Sequence, residues 1–176
     1  MISVDSLLKQ HDVRPGRTLV SGSKIYEGRS DRRDLYGNAI GVDMLEGDGV
    51  DHVHNLEARL PGELGKFDHV DCCSVLEHSS RPWEVASTLQ ECLVEEGTML
   101  LSVPFIWRVH AYPNDYWRFT PEALDVLFPQ IRWLEKTLLS SGRKVKRQPA
   151  MNDRWGNRWL CRTEVIAFGV KCTSSS

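Results

Sequence analysis

The sequence predicts one α/β domain over residues 1–176, with a Rossmann-like, doubly wound and mostly parallel sheet, an antiparallel C-terminal strand and helices on both faces. Two observations support this prediction. Short apolar runs alternate with helical segments along most of the chain, as they do in parallel sheets. One run, Phe67 to Trp83, joins an apolar strand to a helix through a polar Glu77-His78 corner, and open α/β sheets bind ligands at such corners.

The first part of the chain contains three predicted strands. A short helix over Val4 to His11 precedes the strand Thr18 to Gly22, which is apolar and ends at a glycine. A charged stretch over Asp31 to Tyr36, helical or irregular, leads to the second strand, Ala39 to Asp43. The run Asp51 to His54 is predicted as a weaker third strand.

The middle of the chain predicts a strand, a helix and another strand. Val70 to Leu76 is mostly apolar and partly β-branched, as expected of a buried parallel strand. Ser80 is expected to cap the helix that follows, and Pro82 suits an early helical position that needs no N–H. We expect Gly97 to end this helix and Thr98 to Val103 to form the next strand.

The last third of the chain departs from this alternation. A long aromatic loop, Pro104 to Phe119, leads to a helix that opens at Thr120-Pro121-Glu122. Two strands, Ile131 to Leu138 and Thr163 to Val170, finish the chain. The connection between them is unusually long, which indicates a functional segment or some disorder.

Composition narrows the function classes. With 41% hydrophobic and 26% charged residues, the chain is typical of a soluble globular domain. It has no bilayer-length apolar run and no leader-like N-terminus, so we expect a cytoplasmic protein that does not bind membranes. No C-x-x-C pair occurs, and reduced packing residues are expected at Cys72, Cys73, Cys92, Cys161 and Cys172.

The distribution of charge leaves two interpretations open. A net charge of −2 argues against a protein that coats nucleic acid, without excluding a nucleic-acid substrate. The basic segment, Gly142 to Arg162, has seven Lys or Arg residues against one Asp. It either attracts an anionic acceptor, such as a sugar phosphate, a nucleotide or an RNA end, or is a solvated loop.

The predicted strand ends bring small and polar residues to one edge of the sheet. These are Ser21-Gly22-Ser23, Asp43, Asn55 and the segment Ser74 to His78. Because parallel strands end at the same edge, these tips converge on one crevice. Gly22 permits close approach of a ligand, the amides after it suit a carboxylate or phosphate, and Asp43 suits the two hydroxyls of a ribose.

The same residues resemble the class I S-adenosylmethionine-dependent methyltransferases, and in particular a small subset with a shared series of motifs. The motifs stand here as a strand ending in Gly22, then GVD, FDHVDCCSVLEH, RPW and VPFIWRVHAYPNDYWRFTPE. The resemblance covers roughly Thr18 to Leu127 and is more specific than a single glycine motif. It implies transfer of a methyl group from S-adenosylmethionine but gives no acceptor, because the acceptors of the subset vary. Our leading hypothesis is a small-molecule or anionic acceptor.

The resemblance also implies roles for individual residues. Ser21 to Ser23 would face the amino-acid part of the cofactor. Asp43 would face its ribose and Met44 its adenine ring, with Asn55 and Leu56 beside the adenine. The residues after the fourth strand would line the methionine side. The implied cofactor-binding residues are Ser21, Gly22, Ser23, Asp43, Met44, Asn55, Leu56, Ser74, Val75, Leu76 and His78.

The glycine loop departs from the usual pattern of the family. Where an acidic residue and three alternating glycines are common, this chain has Ser21-Gly-Ser-Lys-Ile-Tyr-Glu-Gly28. Lys24 stands where small residues are expected and is a candidate partner for the carboxylate of the cofactor. The departure motivates a second hypothesis, a non-catalytic S-adenosylmethionine-binding or partner module. A third, a nicotinamide-dependent oxidoreductase, is disfavoured because G-x-G-x-x-G is absent.

The aromatic loop supplies the candidate catalytic residues. Methyl transfer needs an acceptor held in line, and a base is required only where the acceptor must lose a proton. His110 is the candidate base, with Asp115 to orient it and Tyr112 beside them, because imidazole titrates near neutral pH. The alternative is a packed aromatic lid in which Asp115 and Arg118 form a structural pair.

Two further patterns have structural interpretations. Glu77 and His78 could end the strand and meet Arg81 in a surface ion pair instead of lining a pocket. His52 and His54 have a metal-like spacing, but no acidic or cysteine partner is near them in the sequence. We therefore expect no metal site.

Overall fold

The computed structural model describes residues 9–11, 16–110, 113–140, 151–152, 158–159 and 163–173. Two α-helices lie wholly within these residues: α1 spans Pro82–Cys92 and α2 spans Ala123–Leu127. Short 3₁₀-helices lie at Arg32–Leu35, Gly62–Leu64 and Leu76–His78. The strands are β1 (Thr18–Ser21), β2 (Ala39–Asp43), β3 (His52–Val53), β4 (Phe67–Cys73), β5 (Leu93–Ile106), β6 (Ile131–Ser140), β7 (Met151–Asn152), β8 (Arg158–Trp159) and β9 (Thr163–Lys171).

Seven strands form one sheet in the order β3-β2-β1-β4-β5-β9-β6, and β7 pairs with β8 separately. The pairings from β3 to β5 are parallel, whereas β9 runs antiparallel to both β5 and β6. From β1, the chain adds β2 and β3 on one side of the sheet and then β4 and β5 on the other side. The carboxyl ends of β1 and β4 therefore border a crevice. The predicted α/β class and the antiparallel last strand are confirmed.

Apolar layers cover both faces of the sheet because successive side chains of a strand point to opposite sides. Leu19 of β1 belongs to the larger layer, which also contains Val85 of α1. The next residue, Val20, belongs to the opposite layer together with Tyr36, which directly follows the 3₁₀-helix Arg32–Leu35. Helical segments therefore lie on both faces, as predicted.

Several predicted boundaries agree with the structure. The strands expected at Thr18 to Gly22 and Ala39 to Asp43 correspond to β1 and β2. Lys9 and Gln10 are helical, while the beginning of that predicted helix lies outside the described residues. The charged stretch before β2 contains one 3₁₀-helix. Local sequence patterns were sufficient in these places because the elements are short and separated by turn residues.

Two boundaries in the middle of the chain are wrong. Helix α1 ends at Cys92, and Gly97 lies inside β5, because Leu93 already pairs with Phe67 of β4. The predicted strand Val70 to Leu76 ends at Cys73. Ser74 has a φ of 57°, a left-handed conformation that interrupts an extended strand.

The predicted Ser80 cap of α1 is also wrong. The N-cap residue is Arg81, whose side chain makes no capping hydrogen bond. Instead, the Glu57 carboxylate accepts hydrogen bonds from the amides of Ser80 and Arg81 and from the hydroxyls of Ser79 and Ser80. Burial works to raise the pKa of Glu57, but these bonds outweigh it and lower the pKa to about 2. A carboxylate from a distant loop thus caps the helix.

The cysteines differ in burial, and only two of the four described ones agree with the expectation of buried packing residues. Cys72 and Cys92 are buried free thiols, Cys73 is half-buried and Cys172 is exposed. Cys161 lies outside the described residues. In the described part of the chain, no helix combines the length and apolar character needed to cross a membrane.

Candidate functional site

The carboxyl ends of β1, β2 and β4 border a cavity of about 780 Å³, a size typical of small-molecule sites. Part of the aromatic loop forms another wall of this cavity, through Trp107, Arg108 and His110. The cavity therefore contains residues from both the predicted cofactor crevice and the predicted catalytic loop.

Most of the predicted site residues line this cavity. Ser21 does not, because it is buried with its hydroxyl donating to the carbonyl of Asp71, and Leu76 lies in the apolar core. Asp115 lies behind His110, and Tyr112 is outside the described residues. The predicted residues that line the cavity are Gly22, Ser23, Asp43, Met44, Asn55, Leu56, Ser74, Val75, His78 and His110.

Gly22 adopts a conformation that favours glycine and lies against another residue of the site. Its φ is 65°, and a Cβ at this position would lie 2.6 Å from Cγ2 of Val75. A larger residue would therefore be both strained and too close to the opposite strand end. The close approach inferred from the sequence is present, although here the partner is a protein side chain.

The amides after Gly22 are not available as the sequence suggested. The N–H of Ser23 donates to the carbonyl of Val42, the N–H of Lys24 to the Asp43 carboxylate and the N–H of Ile25 to the carbonyl of Asp48. Because these N–H groups already donate within the protein, the prediction that consecutive amides form an anion site is wrong. In this loop, an anion can instead pair with the side chain of Lys24, which lines the cavity.

Two glycines outside the loop provide the space that the loop needs. A Cβ at Gly41 would lie 2.6 Å from Oγ of Ser23, and a Cβ at Gly49 would lie 2.5 Å from the Ser23 carbonyl oxygen. Sequence analysis missed both residues, since they are far from the loop along the chain. Oγ of Ser23 is buried and has no hydrogen-bond partner among the described residues, which leaves it able to bind a ligand.

Asp43 is held in a fixed position at the end of β2. Its Oδ2 accepts from the amide of Lys24 at 3.1 Å, and its Oδ1 accepts from the amide of Leu45 at 2.9 Å. The side chain is nearly buried but still lines the cavity. Since each carboxylate oxygen can accept two hydrogen bonds, both oxygens keep capacity for ligand hydroxyls.

Glu77 is a buried acid in the wall of the cavity. It is 1% exposed, and its Oε2 has no hydrogen-bond partner among the described residues. Burial raises the pKa of Glu77 to about 8, and the nearby Asp115 carboxylate adds to this effect. The alternative of a surface ion pair between Glu77 and Arg81 is wrong, because Nε of Arg81 lies 3.2 Å from Oε2 of Glu57.

Two histidines lie beside Glu77, with their rings edge to face and 4.9 Å between centroids. Nδ1 of His78 lies 2.5 Å from the carbonyl oxygen of Asn114, which can only accept, so Nδ1 carries the proton. Nδ1 of His110 lies 2.9 Å from Oδ2 of Asp115. Burial lowers the pKa of His110, against the opposing effect of Asp115.

Asp115 is fixed in turn by Arg118. The guanidinium lies 2.5 Å from Oδ1 and 2.8 Å from Oδ2, and it also donates to the carbonyl oxygens of Trp107 and Arg108. Burial works to raise the pKa of Asp115, but the bonds from Arg118 and from the His110 amide keep it below its usual value. Asp115 therefore contacts His110 and pairs with Arg118 at the same time, so the two alternatives drawn from the sequence are compatible.

Solved structures with the same architecture include methyltransferases. TehB from Haemophilus influenzae has a TM-score of 0.63 at 14% identity, over 97% of this chain and 62% of that chain. An N-methyltransferase, NodS from Bradyrhizobium japonicum, solved with S-adenosyl-L-homocysteine, has 0.61 at 8%, over 93% and 82%. The 1,6-didemethyltoxoflavin-N1-methyltransferase from Burkholderia thailandensis, with 1,6-didemethyltoxoflavin and S-adenosylhomocysteine bound, has 0.66 at 17%, over 96% and 76%. The chain has the methyltransferase fold.

The likeness to these structures concerns the fold alone, since the identities are low. The chain spans less than two thirds of the length of TehB. No protein-family model and no curated protein matches the sequence. His52 and His54 have the spacing of metal ligands, but His52 is exposed. Nε2 of His54 lies 3.1 Å from the carbonyl oxygen of Ala58. Most of the basic segment lies outside the described residues.

Proposed function

We propose that this protein transfers a methyl group from S-adenosylmethionine to a small-molecule or anionic acceptor. The observation that carries the proposal is the single cavity that contains Gly22 and Asp43 at the strand ends together with His110 of the aromatic loop. One cavity can therefore hold a cofactor and an acceptor side by side. The methyltransferase fold supports the same conclusion.

The residues of the cavity fit the proposed cofactor. The unpartnered Oγ of Ser23 offers a buried polar contact, and Asp43 keeps acceptor capacity for ribose hydroxyls. Lys24 would pair with the carboxylate of the cofactor, since the neighbouring amides are already bonded within the protein. When bound, S-adenosylmethionine supplies a methyl group on a positively charged sulfur.

The aromatic loop is proposed to bind and orient the acceptor. Asp115 and Arg118 fix this part of the loop, so the ring of His110 is held at the cavity wall. The imidazole of His110, beside the Asp115 carboxylate, would accept a proton from an acceptor hydroxyl or amine. Arg108 also lines the cavity, and its Nε is buried without a partner among the described residues, which favours an acceptor with negative charge.

Calorimetry with S-adenosylmethionine, S-adenosylhomocysteine and NAD tests the proposal. Micromolar or tighter binding of the first two is expected, and preference for NAD would contradict it. Binding of neither would instead favour a partner module. A screen of sugar phosphates, nucleotides and small phenols for S-adenosylhomocysteine formation would then identify the acceptor, and binding without turnover on any of them would favour the non-catalytic module.

A further inference from the structure

Three side chains in the cavity wall are arranged like the ligands of a metal ion. Glu77, His78 and His110 each present one ligand atom, and these atoms all lie within 4.8 Å of one another. All three residues line the same cavity. Two imidazoles and one carboxylate are a common ligand set for catalytic zinc and for non-haem iron.

The partners of the two imidazoles support this interpretation. A histidine that binds a metal through one ring nitrogen usually donates from the other to a carbonyl or a carboxylate, which fixes the ring. Nδ1 of His78 faces the carbonyl oxygen of Asn114 at 2.5 Å, and Nδ1 of His110 faces the Asp115 carboxylate at 2.9 Å. His78 therefore keeps Nε2 as its ligand atom, and this atom is 3.8 Å from Oε1 of Glu77.

Glu77 supplies an independent observation. Its side chain is 2% exposed, and Oε2 has no hydrogen-bond partner among the described residues. A buried carboxylate oxygen without a partner is costly in a folded protein unless a ligand satisfies it.

We propose that Glu77, His78 and His110 bind one divalent transition-metal cation at the wall of the cavity. Imidazole ligands favour Zn²⁺, Fe²⁺, Co²⁺ or Ni²⁺ over Mg²⁺. Three protein ligands leave at least one coordination position for a ligand in the cavity. This differs from the expectation based on sequence spacing, which considered only His52 and His54, because Glu77 and His110 are brought together by the fold.

The role of the cation rests on the proposed function. An acceptor hydroxyl bound at the open position would have a lowered pKa and release its proton to water. Its oxygen would form the bond to the methyl carbon, while the carbon–sulfur bond breaks and the electron pair stays on sulfur. His110 would then act as a ligand rather than as the base, and acceptors with an oxygen donor would be preferred.

Calorimetry on chelator-treated protein tests the site with ZnCl₂ and CoCl₂, with MgCl₂ for comparison. We expect one equivalent of Zn²⁺ or Co²⁺ to bind, with Co²⁺ giving visible absorption bands, and Mg²⁺ to bind much more weakly. His78→Ala and His110→Ala should each lower the affinity at least about 100-fold. His52→Ala, which removes an exposed imidazole of β3, should leave it unchanged.

Glu77→Gln keeps the shape of the side chain, so a loss of metal affinity in this variant can be separated from a folding defect. This variant should lose metal affinity while its thermal transition stays cooperative. Absence of Zn²⁺ and Co²⁺ binding, or equal binding by the three cluster variants and wild type, would overturn the proposal. Titration of the chelator-treated protein with S-adenosylhomocysteine tests the methyltransferase function separately: metal binding without cofactor binding removes only the function, and the converse removes only the metal site.

Discussion

Gly22 and Val75 lie so close that a Cβ at position 22 would be 2.6 Å from Cγ2 of Val75. Gly22 also has a φ of 65°. Gly22→Ala is therefore expected to cost about 1 kcal/mol or more in stability through backbone strain, and to weaken binding of S-adenosylhomocysteine because the strand ends must move apart. Thermal melts and calorimetry measure the two effects.

Gly28→Ala is the matched control for that variant. Gly28 has a φ of 76°, but a Cβ at this position would meet no atom within 4 Å, so the alanine suffers backbone strain without a clash. It should lose similar stability and keep its ligand affinity. Equal loss of affinity in both variants would show that strain, and not the contact with Val75, controls binding.

Asp43 is expected to be the main polar contact for the ribose of the cofactor. Asp43→Ala should weaken S-adenosylhomocysteine binding by roughly 1–3 kcal/mol, the range for a lost hydrogen bond to a charged group. Asp43→Asn retains one acceptor for the amide of Lys24 or Leu45 and should lose less. Asp48→Ala removes an exposed carboxylate of the following loop and should bind normally. An unchanged affinity in Asp43→Ala would place the ribose elsewhere.

The sequence predicted the ends of β1 and β2 well, but it predicted the end of β4 and the contacts between distant segments poorly. β1 and β2 could be recognised because apolar runs end there at Gly22 and Asp43. The capping role of Glu57 could not, since it depends on a loop that reaches α1 from more than twenty positions away. The cluster of Glu77 with His110 could not be predicted either, because these residues are far apart in the sequence. The cytoplasmic location and the role of the basic segment stay predictions.

His110 is expected to matter for catalysis and not for cofactor binding. Once the acceptor is known, His110→Ala should lower kcat by roughly 10² to 10⁴, the range for a lost general base, while the affinity for S-adenosylhomocysteine stays as in wild type. His52→Ala serves as the control for loss of an imidazole. Full activity of His110→Ala in steady-state assays would remove His110 from both proposed roles, as base and as metal ligand.

Glu57 is expected to make stability depend on pH in the acid range. Its pKa is lowered from an ordinary value of 4.5 to about 2 in the folded protein, so the unfolded state binds the proton first. The stabilisation is therefore fully present above about pH 4.5 and is lost as the pH falls towards about 2. Glu57→Gln should lack this part of the pH dependence and lose about 1–2 kcal/mol at neutral pH, as expected for a helix cap.

Glu84→Gln is the control for the Glu57 variant. Glu84 lies in the first turn of α1, so it shares the favourable position of a carboxylate near a helix N-terminus. It does not receive the hydrogen bonds from Ser79, Ser80 and Arg81 that Glu57 accepts. Urea unfolding between pH 3 and pH 7 should then separate the two variants most at neutral pH, and the gap should shrink towards the acid end. If the two variants lose the same stability at every pH, the helix dipole alone explains the effect, and the hydrogen bonds from Ser79, Ser80 and Arg81 contribute nothing measurable.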